Sequence, residues 1–175
     1  MRGDDRRRNR DDDLQVVGPP DLFEEFYTKE VKAVLALALG LTRRRWEAED
    51  VTQEAFYRAF RAWDRVGHMD HRGAWVRRVA LNLAVGRWRR MRAEARAALR
   101  LGIPASSEPP DPVSVRFWAA VRALPPRQAQ VVALTYVDDL DSKAVGAVLG
   151  ISPATVRVHL ARARATLAER LELEQ

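Results

Sequence analysis

The sequence predicts an all-α protein made of two small helical domains joined by a flexible linker, and three observations predict it. Apolar residues recur at spacings of three and four through most of the chain. Residues 101–112, with Pro104, Pro109, Pro110 and Pro112, break that periodicity once. Beyond the break, residues 141–167 read as two short helices around a tight turn.

Taken in order, residues 1–20 mix Arg and Asp in blocks and end Gly18-Pro19-Pro20. Their charges nearly cancel and they have little to bury, so a disordered arm is expected. Asp21 is then a helix N-cap, and Leu22, Phe23, Phe26, Tyr27, Val31, Val34, Leu35, Ala38 and Leu39 form one apolar face up to about residue 41. Gly40 and the run Thr42-Arg43-Arg44-Arg45 interrupt it. A second helix spans 47–63 with Val51, Ala55, Phe56, Ala59, Phe60 and Trp63 inward. Its first turn is acidic (Glu47, Glu49, Asp50) and its last basic (Arg58, Arg61), as the helix dipole favours.

Residues 65–72 read as a loop containing Gly67, His68, Asp70 and His71. The His-x-x-His spacing lacks a third ligand cluster, so no metal is assigned to it. A third helix runs from 73 to 92 or beyond, with Trp75, Val76, Val79, Ala80 and Leu83 inward. Arg77, Arg78, Asn82, Arg87, Arg89, Arg90 and Arg92 lie mostly outside that stripe. Guanidinium forks bind phosphate, and Asn or Trp can meet an unstacked base, so this helix is a candidate nucleic-acid surface.

The first domain is therefore placed at 21–97, the linker at 98–112 and the second domain at 113–172. That second domain starts with a helix to Leu124, stopped by Pro125-Pro126, and another over 127–137. In the final pair, Asp141 is an N-cap, Val145, Val148 and Leu149 share a face, and Gly150 can take the positive φ that closes the helix. Ser152-Pro153 restarts the chain, with Val156, Leu160 and Leu167 inward and Thr155, Arg157, His159, Arg162 and Arg164 opposite. Two helices joined this tightly, the second basic, form a helix-turn-helix whose second helix suits a major groove.

Bulk properties agree. The chain has 175 residues, 47% hydrophobic and 31% charged, with a formal net charge of +6. A basic balance favours polyanionic partners. With no cysteine, disulfides and thiolate metal sites are excluded. The N-terminus lacks an apolar signal region and no apolar run is long enough to span a membrane, so a soluble, cytoplasmic protein is expected. No phosphate-cradling glycine loop or catalytic constellation is found, so an enzyme is not expected and no cofactor is assigned.

Four segments resemble a known family. Ala48-Glu49-Asp50-Val51-Thr52-Gln53-Glu54-Ala55-Phe56-Tyr57-Arg58-Ala59-Phe60 is similar to region 2.2 of bacterial sigma factors. Ala74-Trp75-Val76-Arg77-Arg78-Val79-Ala80-Leu81-Asn82-Leu83-Ala84 resembles their region 2.3–2.4. Ala123-Leu124-Pro125-Pro126-Arg127-Gln128 and the segment from Gly150 to Arg164 resemble region 4. Their order, with a short linker and no room for other regions, resembles the extracytoplasmic-function (ECF, group 4) class of the sigma-70 family.

The resemblance implies a dissociable initiation factor that binds core RNA polymerase, directs it to −35 and −10 promoter elements and promotes melting. Glu49, Asp50, Gln53, Glu54 and Tyr57 would dock on the β′ clamp coiled coil, and region 4 would meet the β flap. Val66, Gly67, His68, His71, Arg78, Asn82 and Arg89 would read the −10 element. Ser152, Thr155, Arg157, Val158, His159, Ala161 and Arg162 would read the −35 element. The resemblance also admits an anti-sigma partner covering both domains. Val158 and Ala161 stand where related proteins often carry larger or polar residues, so the −35 sequence does not transfer. Gly146 replaces a more usual alanine at a cost of up to about 1 kcal/mol, unless close packing needs it. The alternative is a stand-alone helix-turn-helix regulator, which would have no use for a polymerase-docking helix.

Overall fold

A computed structural model of the chain describes residues 20–100 and 114–172. The first domain is organised by α1 (Pro20–Leu41), whose apolar spacing buries Phe26, Val34, Leu37, Ala38 and Leu41. α2 (Arg45–Arg61) lays Ala48, Val51, Ala55, Phe56 and Ala59 against it. The chain pauses at Ala62, then makes the single turn α3 (Trp63–Val66), which buries both of its end residues. α4 (Arg72–Arg100) closes the bundle with Val76, Ala80, Leu81, Ala84 and Val85. Aromatic edges lock the near end: Phe23 meets Trp63 edge-on with centroids 5.0 Å apart, and Phe26 lies 5.8 Å from Phe56.

Glu47 has a more specific role than dipole complement. Arg44 caps α2 without a side-chain acceptor, and Glu47 reaches back to accept the Arg43 N–H at 3.0 Å. The carboxylate thus satisfies a backbone donor just ahead of the helix, which explains why it is buried there.

The second domain stacks α5 (Ser114–Arg122), α6 (Pro126–Tyr136) and α7 (Ser142–Leu149) around the long α8 (Pro153–Glu172). Pro126 sits at the start of α6, where its missing N–H costs nothing. Val121, Leu124, Val131, Val132, Leu134, Val145, Val156 and Ala163 fill the centre.

The expected all-α, two-domain plan is present, with corrections at its edges. Gly40 lies inside α1, and α4 runs on to Arg100, taking in residues 98–100 that had been given to the linker. Phe60, expected inward, is 41% exposed. The rest of the expected linker and the expected arm, up to Pro19, lie outside the described residues. The larger correction concerns arrangement: the domains do not stand apart but are packed together, α1 on α5 and α6, and α4 on α7. Small cores have little apolar surface of their own, which favours joining them.

Gly40 makes that approach feasible. A β-carbon there would fall 2.9 Å from Cζ3 of Trp118 on α5. Beside it Arg122 of α5 donates to the carbonyls of Gly40 (3.4 Å) and Thr42 (3.1 Å), which close the C-terminal end of α1. Burial, and Arg43 nearby, lower the Arg122 pKa, with Glu47 partly offsetting them.

Two glycines give opposite expectations. A β-carbon on Gly86, mid-α4, would meet open space, whereas one on Gly146 would fall 2.6 Å from the Ile151 carbonyl oxygen. Gly146 is thus required by close packing, which answers the departure noted above. Gly86→Ala should raise the melting temperature by a few degrees, about 1 kcal/mol, and Gly146→Ala should lower it. Thermal denaturation by circular dichroism checks both.

Candidate nucleic-acid interface

The helix-turn-helix is built by local chemistry. Asp141 Oδ1 accepts the Ala144 N–H at 2.7 Å and starts α7; Gly150, at φ 69°, ends it. The Ile151 N–H returns to the Gly146 carbonyl at 3.0 Å. Ser152 Oγ then accepts the Thr155 N–H at 3.1 Å and starts α8, so its hydroxyl is committed to the cap. The α7 and α8 axes turn by 102°, inside the range of DNA-reading helix pairs.

On α8, Thr155, Arg157, Val158, Ala161 and Arg162 are exposed on the outer face. His159 departs from its expected position. Spaced between the buried Val156 and Ala163, it is half-buried, and its Nδ1 is shut off from solvent without a hydrogen-bond partner. Helical periodicity turns that edge of the ring toward the domain and away from any duplex. Arg164 instead donates to the Tyr136 hydroxyl at 2.9 Å.

The second candidate face is on α4, where Arg78, Asn82 and Arg89 are exposed at spacings of four and seven. The nearby turn is positioned by α3. Gly67 packs so closely that a β-carbon would lie 2.9 Å from the Trp63 carbonyl oxygen. His68 Nδ1 is 2.8 Å from the Asp64 carbonyl oxygen, and His71 is exposed. Val66 is a correction, since its side chain is fully buried and belongs to the core. A polar hollow opens beside this turn, lined among others by Glu25, Lys29, His68, Asp70 and Arg72.

The α4 face is also where the second domain sits. Arg78 donates to the Val148 carbonyl and, at 3.3 Å, to that of Ala147, the carbonyl end of α7. Asn82 Oδ1 accepts from Gln130 Nε2 at 3.0 Å, and the buried Gln130 is held in turn by Arg127 at 3.2 Å. Arg77, one residue before, pairs with Asp138 of the second domain at 2.6 Å and with Glu30 of α1. Burial disfavours the Arg77 charge, but Asp138 and Glu30 outweigh it and its pKa is raised. Sequence reasoning missed Glu30, Gln130 and Asp138. They carry no periodic or compositional signal, and Asp138 lies in the irregular turn where Asp139 takes a left-handed φ of 50°.

A third surface lies on α2. Gln53 is exposed and Tyr57 is 55% exposed; Glu49 pairs with Arg45 at 2.7 Å, Glu54 with Arg58 at 2.7 Å, and Asp50 with Arg87 of α4 at 3.2 Å. Phe60 continues the same face one turn on. Such solvent-exposed pairs contribute little to stability and leave the carboxylates available to a partner. Among the described residues, no group of three His, Cys, Asp or Glu side chains is placed to hold a metal ion.

With this geometry, comparisons with known proteins are specific. Residues 26–94 match the family model for sigma-70 region 2, and residues 114–167 that for sigma-70 region 4. The chain is 33% identical over 170 residues to a probable RNA polymerase sigma factor of Xanthomonas campestris, covering 89% of this chain but only 42% of that protein. It is 27% identical over 170 residues to an ECF RNA polymerase sigma factor of Bacillus subtilis, covering 88% of this chain and 91% of that one. The fold is shared with the sigma factor RpoE solved with the anti-sigma factor NepR from Bartonella quintana. That match has TM-score 0.64 at 21% identity, and spans 87% of this chain and 98% of that one.

Arg77→Met should cost about 3 kcal/mol, because it leaves Glu30 and Asp138 facing each other with their shared cation gone. Urea denaturation measures it, and Arg77→Met with Asp138→Asn should recover part of the loss.

Proposed function

The chain belongs to the extracytoplasmic-function class of the sigma-70 family, and we propose that it acts as a dissociable initiation factor for bacterial RNA polymerase. The observation that carries this reading is a combination on one chain. A basic helix-turn-helix and an arginine-faced α4 share it with an outward α2 face of acid, amide and tyrosine that neither the core nor DNA binding requires. A stand-alone regulator would use the first without the last.

In this reading α2, through Glu49, Asp50, Gln53, Glu54 and Tyr57, docks on the clamp coiled coil of the β′ subunit, with Phe60 adding apolar area. Region 4 meets the β flap and lays α8 into the −35 duplex. Arg157 and Arg162 are its leading base or phosphate contacts, with Thr155 and Val158 on the same face. A bidentate Arg–guanine contact is worth about 1–3 kcal/mol of discrimination. Arg78, Asn82 and Arg89, with His68 and His71 of the adjoining turn, take the −10 element as an opened strand. Unstacking a base there costs a few kcal/mol, offset by contacts to it. The factor supplies no active site, since the polymerase makes the RNA, and it works in the cytoplasm with an anti-sigma protein as a candidate partner.

The test is a size-exclusion titration against core polymerase without DNA. Stoichiometric co-elution, reduced at least tenfold in affinity by Asp50→Arg with unchanged circular dichroism, is the expected result. That variant loses only an exposed pair with Arg87, so its fold should survive. A chain that elutes alone yet binds duplex DNA would favour the regulator. In promoter assays Asn82→Ala should leave −35 duplex binding intact and reduce permanganate reactivity of the −10 strand; equal footprints would remove Asn82 from melting.

A further inference from the structure

We propose that Trp46 anchors the far end of the α2 docking face, seated on an apolar side chain of a helix in the β′ clamp coiled coil. The inference rests on the polymerase-docking reading of α2 given above. It adds a residue that the segment similar to region 2.2, which starts at Ala48, does not contain.

Trp46, Asp50, Gln53, Tyr57 and Phe60 follow one another at spacings of four, three, four and three. At 3.6 residues per turn, all five point within about 40° of the Trp46 direction and form one line along α2. All five are exposed, whereas Ala48, Val51, Thr52, Ala55 and Ala59 between them are buried. The strip left to solvent is therefore one seam wide. Its mean spacing of about 3.5 residues is the one a supercoiled helical partner follows, here over two heptads or about 21 Å. Asp50 within the seam and Glu49 and Glu54 beside it would repel a phosphate backbone, so a helix fits this strip and a nucleic acid does not.

Charge alone holds such a partner weakly. Glu49, Asp50 and Glu54 already pair with Arg45, Arg87 and Arg58, so a partner's cation only exchanges one exposed pair for another. Asp50 and Gln53 in the middle fix register, and the aromatic side chains supply affinity. Tyr57 and Phe60 lie at one end, where Phe60 also packs edge-on against Phe23. Trp46 holds the other end. It is 54% exposed and belongs neither to the core nor to the apolar side chains packed on the core. The fold gains little from an indole placed there, whereas tryptophan is prominent among the residues whose truncation costs an interface most.

The chain has no cysteine, so a parent labelled through Lys143→Cys, an exposed position on α7, carries a single dye. Unlabelled chains then compete with it for core polymerase in the absence of DNA. Trp46→Ala should compete about thirtyfold more weakly than the parent, equivalent to about 2 kcal/mol. Trp46→Phe should recover most of that loss. Leu39→Ala, which trims an apolar side chain 44% exposed on α1, should compete as the parent does. Hydroxyl-radical footprinting of the parent needs no variant and decides the matter if Trp46→Ala fails to fold: oxidation of Trp46 should fall at least fivefold on binding core.

A Trp46→Ala chain that competes as well as the parent, or an indole oxidised equally in the complex, overturns the anchor and leaves docking through the rest of α2 standing. A labelled parent that does not bind core overturns the docking reading and the anchor together. Self-association of the parent that Trp46→Ala abolishes, with core affinity unchanged, overturns the anchor in favour of a second copy of this chain.

Discussion

Arg77 is the joint on which the molecule depends. It extends from α4 toward Glu30 of α1 on one side and Asp138 of the second domain on the other, so one cation ties the first bundle and fixes where the second bundle sits. Two carboxylates brought this close into a poorly solvated region would repel each other, and only a cation between them makes the arrangement favourable. A guanidinium suits the place because it stays charged when buried and presents several donors in a rigid fork. With Arg77 in place, Arg78 and Asn82 are carried onto α7 and α6 by helical geometry alone.

This arrangement links packing to function. The cores of the two domains are small, and burying Trp118 against Gly40 joins them without adding a long apolar surface. Beside it Leu41, Val85 and Trp88 of the first domain face Leu124, Pro126 and Ala129 of the second, and the polar contacts pair guanidinium with carbonyl, amide with amide and charge with charge. The outward faces of α2 and α8 lie apart from it and stay exposed throughout.

Much of this was legible in the sequence. Asp141, Gly150 and Ser152-Pro153 announce the helix-turn-helix because caps and turns are set by the residues that make them, and each does what its chemistry requires. The outward face of α2 was legible through its acidic and aromatic residues, although Phe60 was placed on the wrong side. An aromatic residue at an inward spacing gives no sign that half its ring stays wet. Val66 and His159 failed for the same reason: position in a motif says nothing about which way a side chain turns. The docking of the domains was not legible at all. It depends on Glu30, Gln130 and Asp138, polar residues far apart in sequence whose meaning appears only when Arg77 and Asn82 are brought to them.

The most direct test of the whole account is amide hydrogen exchange of the full chain, free and with saturating core polymerase. The account predicts that α2 gains protection around residues 49–60 on binding. The ends of α7 and α1, whose carbonyls accept from Arg78 and Arg122 of the opposite domain in the free chain, should lose amide protection together if those contacts are released. An α2 segment whose exchange is unchanged by polymerase would contradict the account at its centre, whatever the helix-turn-helix binds.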